Sequence, residues 1–266
     1  MEESILETYQ LTRRYGELTA VNAITFSVRP GEIFGLIGPN GAGKTTTIKM
    51  LTTLLPPTSG TGRVAGFDIV RNARSVRRSI GYVPQLVSAD GSLTCYENLL
   101  LFAKLYDIPI NERQDRIRKA LDFMELYDAR NNLVRTFSGG MIRRLEIAQA
   151  VLHRPRILFL DEPTVGLDPV ARQSVWRQVE MLALRGTTVI ITTHYMEEAE
   201  TLCARVAIMH KGNIVATGSP AELKKSVGGK KTTLDDVFAF YSGNTIESGG
   251  SYRETSRVRR IARRLG

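Results

Sequence analysis

The chain has 266 residues, 42% of them hydrophobic, which is enough to bury the core of one large domain or of one domain with a subdomain. Its formal net charge is +9, and Cys95 and Cys203 are too few and too scattered for a disulfide or zinc framework. No run reaches the roughly 18 apolar residues that span a bilayer, and the acidic start lacks a signal-peptide pattern, so we expect a soluble protein of a reducing compartment.

The first part of the chain predicts β structure. Residues 5–28 suggest two strands of a β-rich edge that precedes the first strand of a parallel core. The apolar run at 32–37 then reads as a buried strand of that core.

The segment that follows, GPNGAGKTT at 38–46, fits the phosphate-binding loop pattern GxxxxGK[ST] at every fixed position. A strand enters it and a helical pattern leaves it, as the motif requires. Its glycines let successive backbone N–H groups converge on phosphate oxygens at a helix N-terminus. We expect Lys44 to reach the β- and γ-phosphates and Thr45 to ligate Mg²⁺. The predicted nucleotide-binding residues here are Gly38, Pro39, Asn40, Gly41, Ala42, Gly43, Lys44, Thr45 and Thr46.

Helical periodicity dominates residues 93–127 and interrupts the alternation of strand and helix. It predicts two helices, Cys95 to Tyr106 and Glu112 to Tyr127. We interpret this segment as a helical subdomain inserted into the core.

The inserted segment ends in a second candidate phosphate site, TFSGGM at 136–141, which opens another helical pattern. Ser138 is placed as an N-cap, and Gly139 and Gly140 leave the helix terminus open to an anion. A chain with one phosphate loop per nucleotide has no obvious use for this site unless it completes the site of a neighbouring copy.

The core resumes at 156–160, an apolar run that ends in Asp161 and Glu162. This is the pattern of a buried parallel strand whose carboxyl end faces a ligand crevice. Asp161 is expected to hold Mg²⁺, and Glu162 to polarise the water that attacks the γ-phosphorus. A helix from Pro169, a strand from Thr187, a helix from Tyr195 and a hairpin at 205–216 complete the pattern, without an internal repeat.

Together these motifs resemble the ATPase subunit of an ATP-binding cassette (ABC) transporter, in which Ser-Gly-Gly is the signature motif. The resemblance implies an α/β P-loop NTPase core with a mainly parallel sheet, an antiparallel β edge and an inserted helical subdomain. The implied boundaries are an ATPase domain at 1–226 and a C-terminal extension at 227–266. Within the domain, the core is assigned to 1–85 and 155–226, and the helical subdomain to 86–154.

The resemblance also assigns roles to single residues, and it implies that the bound nucleotide is ATP. Tyr15 matches the aromatic residue that stacks on adenine, although core or surface packing is the alternative for a lone tyrosine. Gln85, in GYVPQ, matches the glutamine that touches Mg²⁺ and the lytic water. Asp168 matches the loop that crosses a dimer interface, with helix capping as an alternative. His194 matches the histidine that contacts the γ-phosphate, so that the expected catalytic set is Lys44, Gln85, Glu162 and His194.

Two functions from different classes remain open at this stage. In the first, two copies close on two ATP molecules and drive an integral membrane permease from the cytoplasmic face of the membrane. In the second, a soluble ABC ATPase acts on ribosomes or DNA. Three segments, at 137–144, 194–199 and 233–238, resemble the daunorubicin-resistance type of exporter ATPase and favour export.

The C-terminal tail is strongly basic and follows a Gly/Ser-rich stretch that reads as a linker. Anionic lipid beside a membrane partner, nucleic acid, and solvent alone are the three surroundings that we consider for it. The tail arginines are Arg253, Arg257, Arg259, Arg260, Arg263 and Arg264.

Overall fold

The computed structural model describes residues 4–228 and 232–243. The basic tail lies outside the described residues, so the expectation of a lipid contact there stays a prediction. Among the helices in the described ranges, none is long and apolar enough to cross a bilayer.

The strands and helices of the described residues follow one another in a mixed order. The strands are β1 (Leu6–Tyr15), β2 (Leu18–Val28), β3 (Ile33–Ile37), β4 (Ser59–Val64), β5 (Phe67–Asp68), β6 (Ile80–Val83), β7 (Ile157–Asp161), β8 (Thr188–Thr193), β9 (Arg205–His210) and β10 (Asn213–Gly218). The helices are α1 (Lys44–Leu51), α2 (Ala73–Ser79), α3 (Cys95–Leu105), α4 (Ile110–Phe123), α5 (Gly139–Val151), α6 (Pro169–Leu184), α7 (Met196–Leu202), α8 (Pro220–Val227) and α9 (Leu234–Tyr241).

The core sheet has the strand order β10-β9-β3-β8-β7-β6, and all its neighbours are parallel except β10 with β9. Every residue of β3, β7 and β8 is buried, as expected of strands covered on both faces. Because these strands are parallel, their carboxyl ends meet at one edge of the sheet. The phosphate loop, Asp161 and Thr193 therefore come together there.

The two predicted N-terminal strands form a hairpin in a second sheet rather than in the core sheet. This antiparallel sheet has the order β2-β1-β4-β5, and its buried side chains include Leu6, Leu11 and Val21. Its second half, β4 and β5, was not assigned from the sequence, because the glycines and polar residues at 59–62 hide any alternation.

Helices α3, α4 and α5 lie between β6 and β7 in the chain, as predicted for an inserted helical segment. The second helix was predicted at Glu112 to Tyr127, but it begins at Ile110 and ends at Phe123. The prediction was wrong at its C-terminal end because Glu125 has a positive φ of 55°, which a helix does not tolerate. The boundaries proposed at 86 and 154 stay predictions, whereas the α/β class with a mainly parallel sheet is confirmed.

Candidate nucleotide-binding and hydrolysis site

The phosphate loop leaves β3 and runs into α1 through a backbone that two of its glycines make possible. Gly38 has φ 152° and Gly43 has φ 105°. A Cβ atom at Gly38 would collide with the Met209 carbonyl, and one at Gly43 would lie 2.5 Å from the Ala20 oxygen. Only glycine fits at either position, so the concave backbone that the motif predicts is present.

Lys44 is the first residue of α1 and its ammonium is buried. Its Nζ donates to the carbonyl oxygens of Gly38 at 2.7 Å and Pro39 at 3.2 Å. The same Nζ lies 3.1 Å from Oε1 of Glu162, in a pair whose side chains are only 4% and 5% exposed. The positive charge is therefore held at the mouth of the phosphate loop by three oxygen atoms.

Oxygen donors converge at the end of β7. Oδ1 of Asp161 accepts from Oγ1 of Thr192 at 2.6 Å and from Oγ1 of Thr45 at 3.1 Å. A carboxylate beside a hydroxyl at a phosphate-binding loop is the hard-oxygen set that Mg²⁺ prefers. The residues present therefore fit the metal ion that the sequence predicts.

Glu162 contacts residues from several separate parts of the chain. Its backbone N donates to the carbonyl of Thr192 at 3.1 Å and to its Oγ1 at 2.9 Å, and its φ is +49°, which is rare for a residue other than glycine. Oε2 accepts from Nε2 of Gln85 at 3.3 Å, and Nδ1 of His194 lies 3.2 Å from the same oxygen. The structure thus brings Lys44, Gln85 and His194 to one carboxylate.

A cavity of about 450 Å³ lies over the phosphate loop. Tyr15, at the end of β1, lines it; the residue is 45% exposed, and its ring centroid lies 4.8 Å from Cζ of Arg13. Gln85 and Glu162 line it as well. The full lining is Tyr15, Leu18, Ala20, Asn40, Gly41, Ala42, Gly43, Lys44, Thr45, Thr46, Gln85 and Glu162.

The carboxylate of Asp161 has an electrostatic effect on the strand next to it. Burial, and secondarily the charge of Asp161, raises the pKa of Tyr82 on β6 to about 12. The Tyr82 phenol therefore stays protonated and neutral at physiological pH.

Three of the predicted motifs do not line this cavity: His194, which reaches it only through Glu162, the Ser138 segment and the Asp168 loop. Ser138 begins α5 as its N-cap and accepts from the N–H of Met141 at 3.3 Å, as predicted. Asp168 caps α6 by accepting from the N–H groups of Val170 and Ala171, both at 2.9 Å, so the capping alternative is confirmed. A contact of either residue with a second copy stays a prediction.

The Ser138 segment and the Asp168 loop lie close to each other. A Cβ atom at Gly139 would lie 3.2 Å from Leu167, and one at Gly140 would lie 2.7 Å from Ala171. The N-terminus of α5 therefore packs against the loop that carries Asp168.

Sequence reasoning missed the polar residues that support this site. Thr192 binds both Asp161 and the backbone of Glu162, but in the run TTVIITT nothing distinguishes it from its neighbours except its place at the carboxyl end of the strand.

Glu198 was also missed. It is fully buried on α7 and accepts from Thr164 and Trp176, both at 2.8 Å, which connects the loop after Glu162 to the helix after His194.

More than half of the chain matches the model of a known protein family. The model described as ABC transporter matches residues 21–165, a range that includes the phosphate loop, the Ser-Gly-Gly segment and the Asp161–Glu162 pair. The chain belongs to the ABC transporter family. It is an ATP-binding subunit of that family, and thus an ATPase.

Curated relatives agree with this assignment. The daunorubicin/doxorubicin resistance ATP-binding protein DrrA of Streptomyces peucetius is 44% identical over 84% of this chain and 68% of its own length. The Nod factor export ATP-binding protein I of Paraburkholderia xenovorans (strain LB400) is 43% identical over 84% of this chain and 73% of its own length. The resemblance to the daunorubicin-resistance type is confirmed.

Solved structures of ABC transporter subunits share the fold. The structure described as the ATP-binding subunit of an ABC transporter has a TM-score of 0.80 and 29% identity, covering 90% of this chain and 100% of that one. CbiO1 of Clostridium perfringens, part of the ABC transporter complex cbiONQ, has a TM-score of 0.77 and 28% identity, covering 84% and 91%.

Proposed function

We propose that this ABC ATPase powers export through a separate integral membrane permease, with Glu162 as the general base of hydrolysis. The observation that carries the catalytic part is the convergence of Lys44, Gln85 and His194 on the Glu162 carboxylate beside the phosphate loop. A carboxylate that accepts from an amide and lies beside an imidazole at the edge of a phosphate site is placed to take a proton from an attacking water.

The roles of the other residues follow from their positions. The loop backbone and Lys44 bind the phosphates of ATP, and Tyr15 stacks on the base. Binding of the γ-phosphate gives Lys44 a new anionic partner, which frees Oε1 of Glu162 to meet water. Gln85 and His194, which both approach Oε2, orient that water.

Mg²⁺ would be held by Thr45, Asp161 and Gln85, and it would neutralise the charge that develops on the phosphate oxygens. Thr192 fixes the Asp161 carboxylate for this task by its hydrogen bond of 2.6 Å.

A second copy is proposed to complete each site. Ser138, Gly139 and Gly140 expose a helix N-terminus suited to a phosphate, yet they lie outside the cavity of their own chain. Two copies in an ATP sandwich would place the Ser138 segment and the Asp168 loop of one against the nucleotide of the other.

The export direction, the permease and a peripheral location at the cytoplasmic face of the membrane are supported by the relatives whose names state export or drug resistance. These names disfavour the alternative of a soluble ABC ATPase acting on ribosomes or DNA. The basic tail is the proposed contact with anionic lipid.

The test is to purify the full chain, carrying an affinity tag, from detergent-solubilised membranes. We expect an integral membrane protein to co-purify, and its addition to the isolated chain to raise the ATPase rate. The Glu162→Gln variant is the control, because it should retain the partner and lose the rate. Recovery of ribosomes in place of a membrane protein would overturn the transport function.

A further inference from the structure

Three polar side chains are buried along one face of α5. Arg143, Glu146 and Gln149 follow each other at intervals of three residues and are 6%, 2% and 1% exposed. Buried polar groups are costly unless they are hydrogen-bonded, so their partners show what this face of the helix is built to hold.

Arg143 holds the backbone on both sides of the Pro84–Gln85 peptide. Its Nη1 donates to the Pro84 carbonyl at 2.8 Å, and its Nη2 donates to the Gln85 carbonyl at 3.0 Å. Nη1 also lies 3.0 Å from Oε2 of Glu146. The planar guanidinium fork matches two carbonyls and a carboxylate at once, which the single ammonium of a lysine does not.

Glu146 holds the same loop three residues further on. Its Oε1 accepts from both the backbone N–H and the hydroxyl of Ser88. Gln149 extends the contact by donating to Asn98 at 3.2 Å, and the same Asn98 oxygen accepts from the N–H of Asp90 at 3.0 Å. Residues 84–90 are thus attached to α5 by hydrogen bonds, directly at Pro84, Gln85 and Ser88 and through Asn98 at Asp90.

This attachment connects two parts of the proposed machinery. The side chain of Gln85 reaches Oε2 of Glu162 at 3.3 Å, while its backbone is held by α5. The same helix begins at the Ser138 cap, where the γ-phosphate of the neighbouring site is proposed to bind. One rigid helix therefore carries the Ser138 segment at its end and the Gln85 backbone on its side.

We propose that Arg143, together with Glu146, is a positioning residue for ATP hydrolysis. The two side chains keep the Gln85 side chain on Glu162, and they couple the position of Gln85 to the position of the N-terminus of α5. This inference rests on the proposed role of Gln85. Neither side chain touches the cavity over the phosphate loop, so both act through Gln85 and not on the nucleotide.

The test is a double-mutant cycle in the full chain, with Arg143→Met and Gln85→Ala made singly and together. If Arg143 acts through Gln85, we expect Arg143→Met to lower kcat by roughly 10- to 100-fold, since small misplacements of positioning groups have effects of that order. The KM for ATP should change by less than about threefold, because the binding groups stay in place. In the Gln85→Ala background, Arg143→Met should have no further effect on kcat.

Arg144→Met is the matched control. Arg144 is the next residue on the helix, but it binds the Met124 carbonyl at 3.0 Å and Glu125 at 3.2 Å, away from residues 84–90. We expect its kcat to stay within about twofold of the parent. If Arg143→Met does not fold, Glu146→Gln replaces it in the double-mutant cycle, because it keeps an acceptor for Ser88 and removes the charge that pairs with Arg143.

The outcomes separate this inference from the function on which it rests. The positioning role alone would be overturned if the double variant lost kcat by the product of the two single losses. An unchanged kcat in a folded Arg143→Met or Glu146→Gln chain would overturn it too. An unchanged kcat in Gln85→Ala would overturn both the role of Gln85 and this inference. A parent chain that does not hydrolyse ATP would instead contradict the proposed function.

Discussion

Lys44 and Glu162 form a buried ion pair, with Nζ 3.1 Å from Oε1 and both side chains at most 5% exposed. These are also the two groups proposed to act on the γ-phosphate and on the attacking water. In the structure these two side chains pair with each other, so the proposed mechanism requires ATP to replace Glu162 as the partner of Lys44 before hydrolysis begins.

Lys44→Met should destabilise the protein as well as abolish tight ATP binding. Without the ammonium, the buried Glu162 carboxylate keeps only its contacts with Gln85 and His194, and we expect the free energy of unfolding to fall by about 3–5 kcal/mol. Urea unfolding of the nucleotide-free chain measures this. The double variant Lys44→Met/Glu162→Gln should recover most of the loss, and Lys49→Met, on the exposed face of the same helix, should cost little. Equal stability of the single and double variants would contradict the prediction.

Glu162→Gln should retain ATP binding and lose turnover. The amide can still hydrogen-bond to water, but it cannot take the proton, so kcat should fall by on the order of 10² or more. Release of phosphate and equilibrium binding of ATP, measured on the same preparation, test the two halves separately. A rate near that of the parent would show that another group is the base.

Thr192→Val should weaken the response to Mg²⁺. The change keeps the shape of the side chain but removes the hydroxyl that donates to Asp161 at 2.6 Å and accepts from the N–H of Glu162 at 2.9 Å. Loss of a group that orients a metal ligand costs about 10- to 100-fold in metal affinity, so the Mg²⁺ concentration for half-maximal activity should rise by about that factor.

Thr188→Val is its matched control, because Thr188 is buried on the same strand, and its hydroxyl accepts from Gly31 at the opposite end. It should alter stability without altering the Mg²⁺ dependence. A similar shift in both variants would mean that the strand, and not the metal site, responds to the loss of a hydroxyl.

Ser138 should act across a dimer interface. A Lys44→Ala chain and a Ser138→Arg chain each have two damaged sites, whereas their mixed dimer collects both defects in one site and leaves the other intact. Some ATPase activity should therefore return on mixing. If Ser138→Arg hydrolyses ATP and dimerises with it as the parent does, Ser138 is not at a shared phosphate site.

The sequence predicted the parts of the site whose spacing is fixed by backbone chemistry. The phosphate loop needs its glycines at set positions, and Asp161 and Glu162 directly follow an apolar run, so both motifs can be recognised from the sequence alone. Thr192 and Arg143 were not predicted as site residues, because their partners lie 31 and 58 to 59 residues away in the chain, and no local pattern marks such contacts.

The fold was predicted to a similar extent. The buried strands β3, β7 and β8 are built mainly of apolar and β-branched residues, and they were found. The segment from 59 to 83 was not assigned, because its strands are short and its helix α2 carries only one buried residue, Val76. Such elements are held by their neighbours and not by their own periodicity.

The Tyr15 end of the cavity has a consequence for nucleotide selectivity. Tyr15 pairs with Leu18 across the turn of the β1–β2 hairpin, so the surface proposed to receive the base includes a ring beside an aliphatic side chain. Stacking depends little on the identity of the base, and neither an aliphatic group nor the face of a ring reads the pattern of donors and acceptors on a purine edge. If the base stacks on Tyr15 as proposed, the triphosphate supplies most of the recognition, and the chain should then hydrolyse GTP as well as ATP.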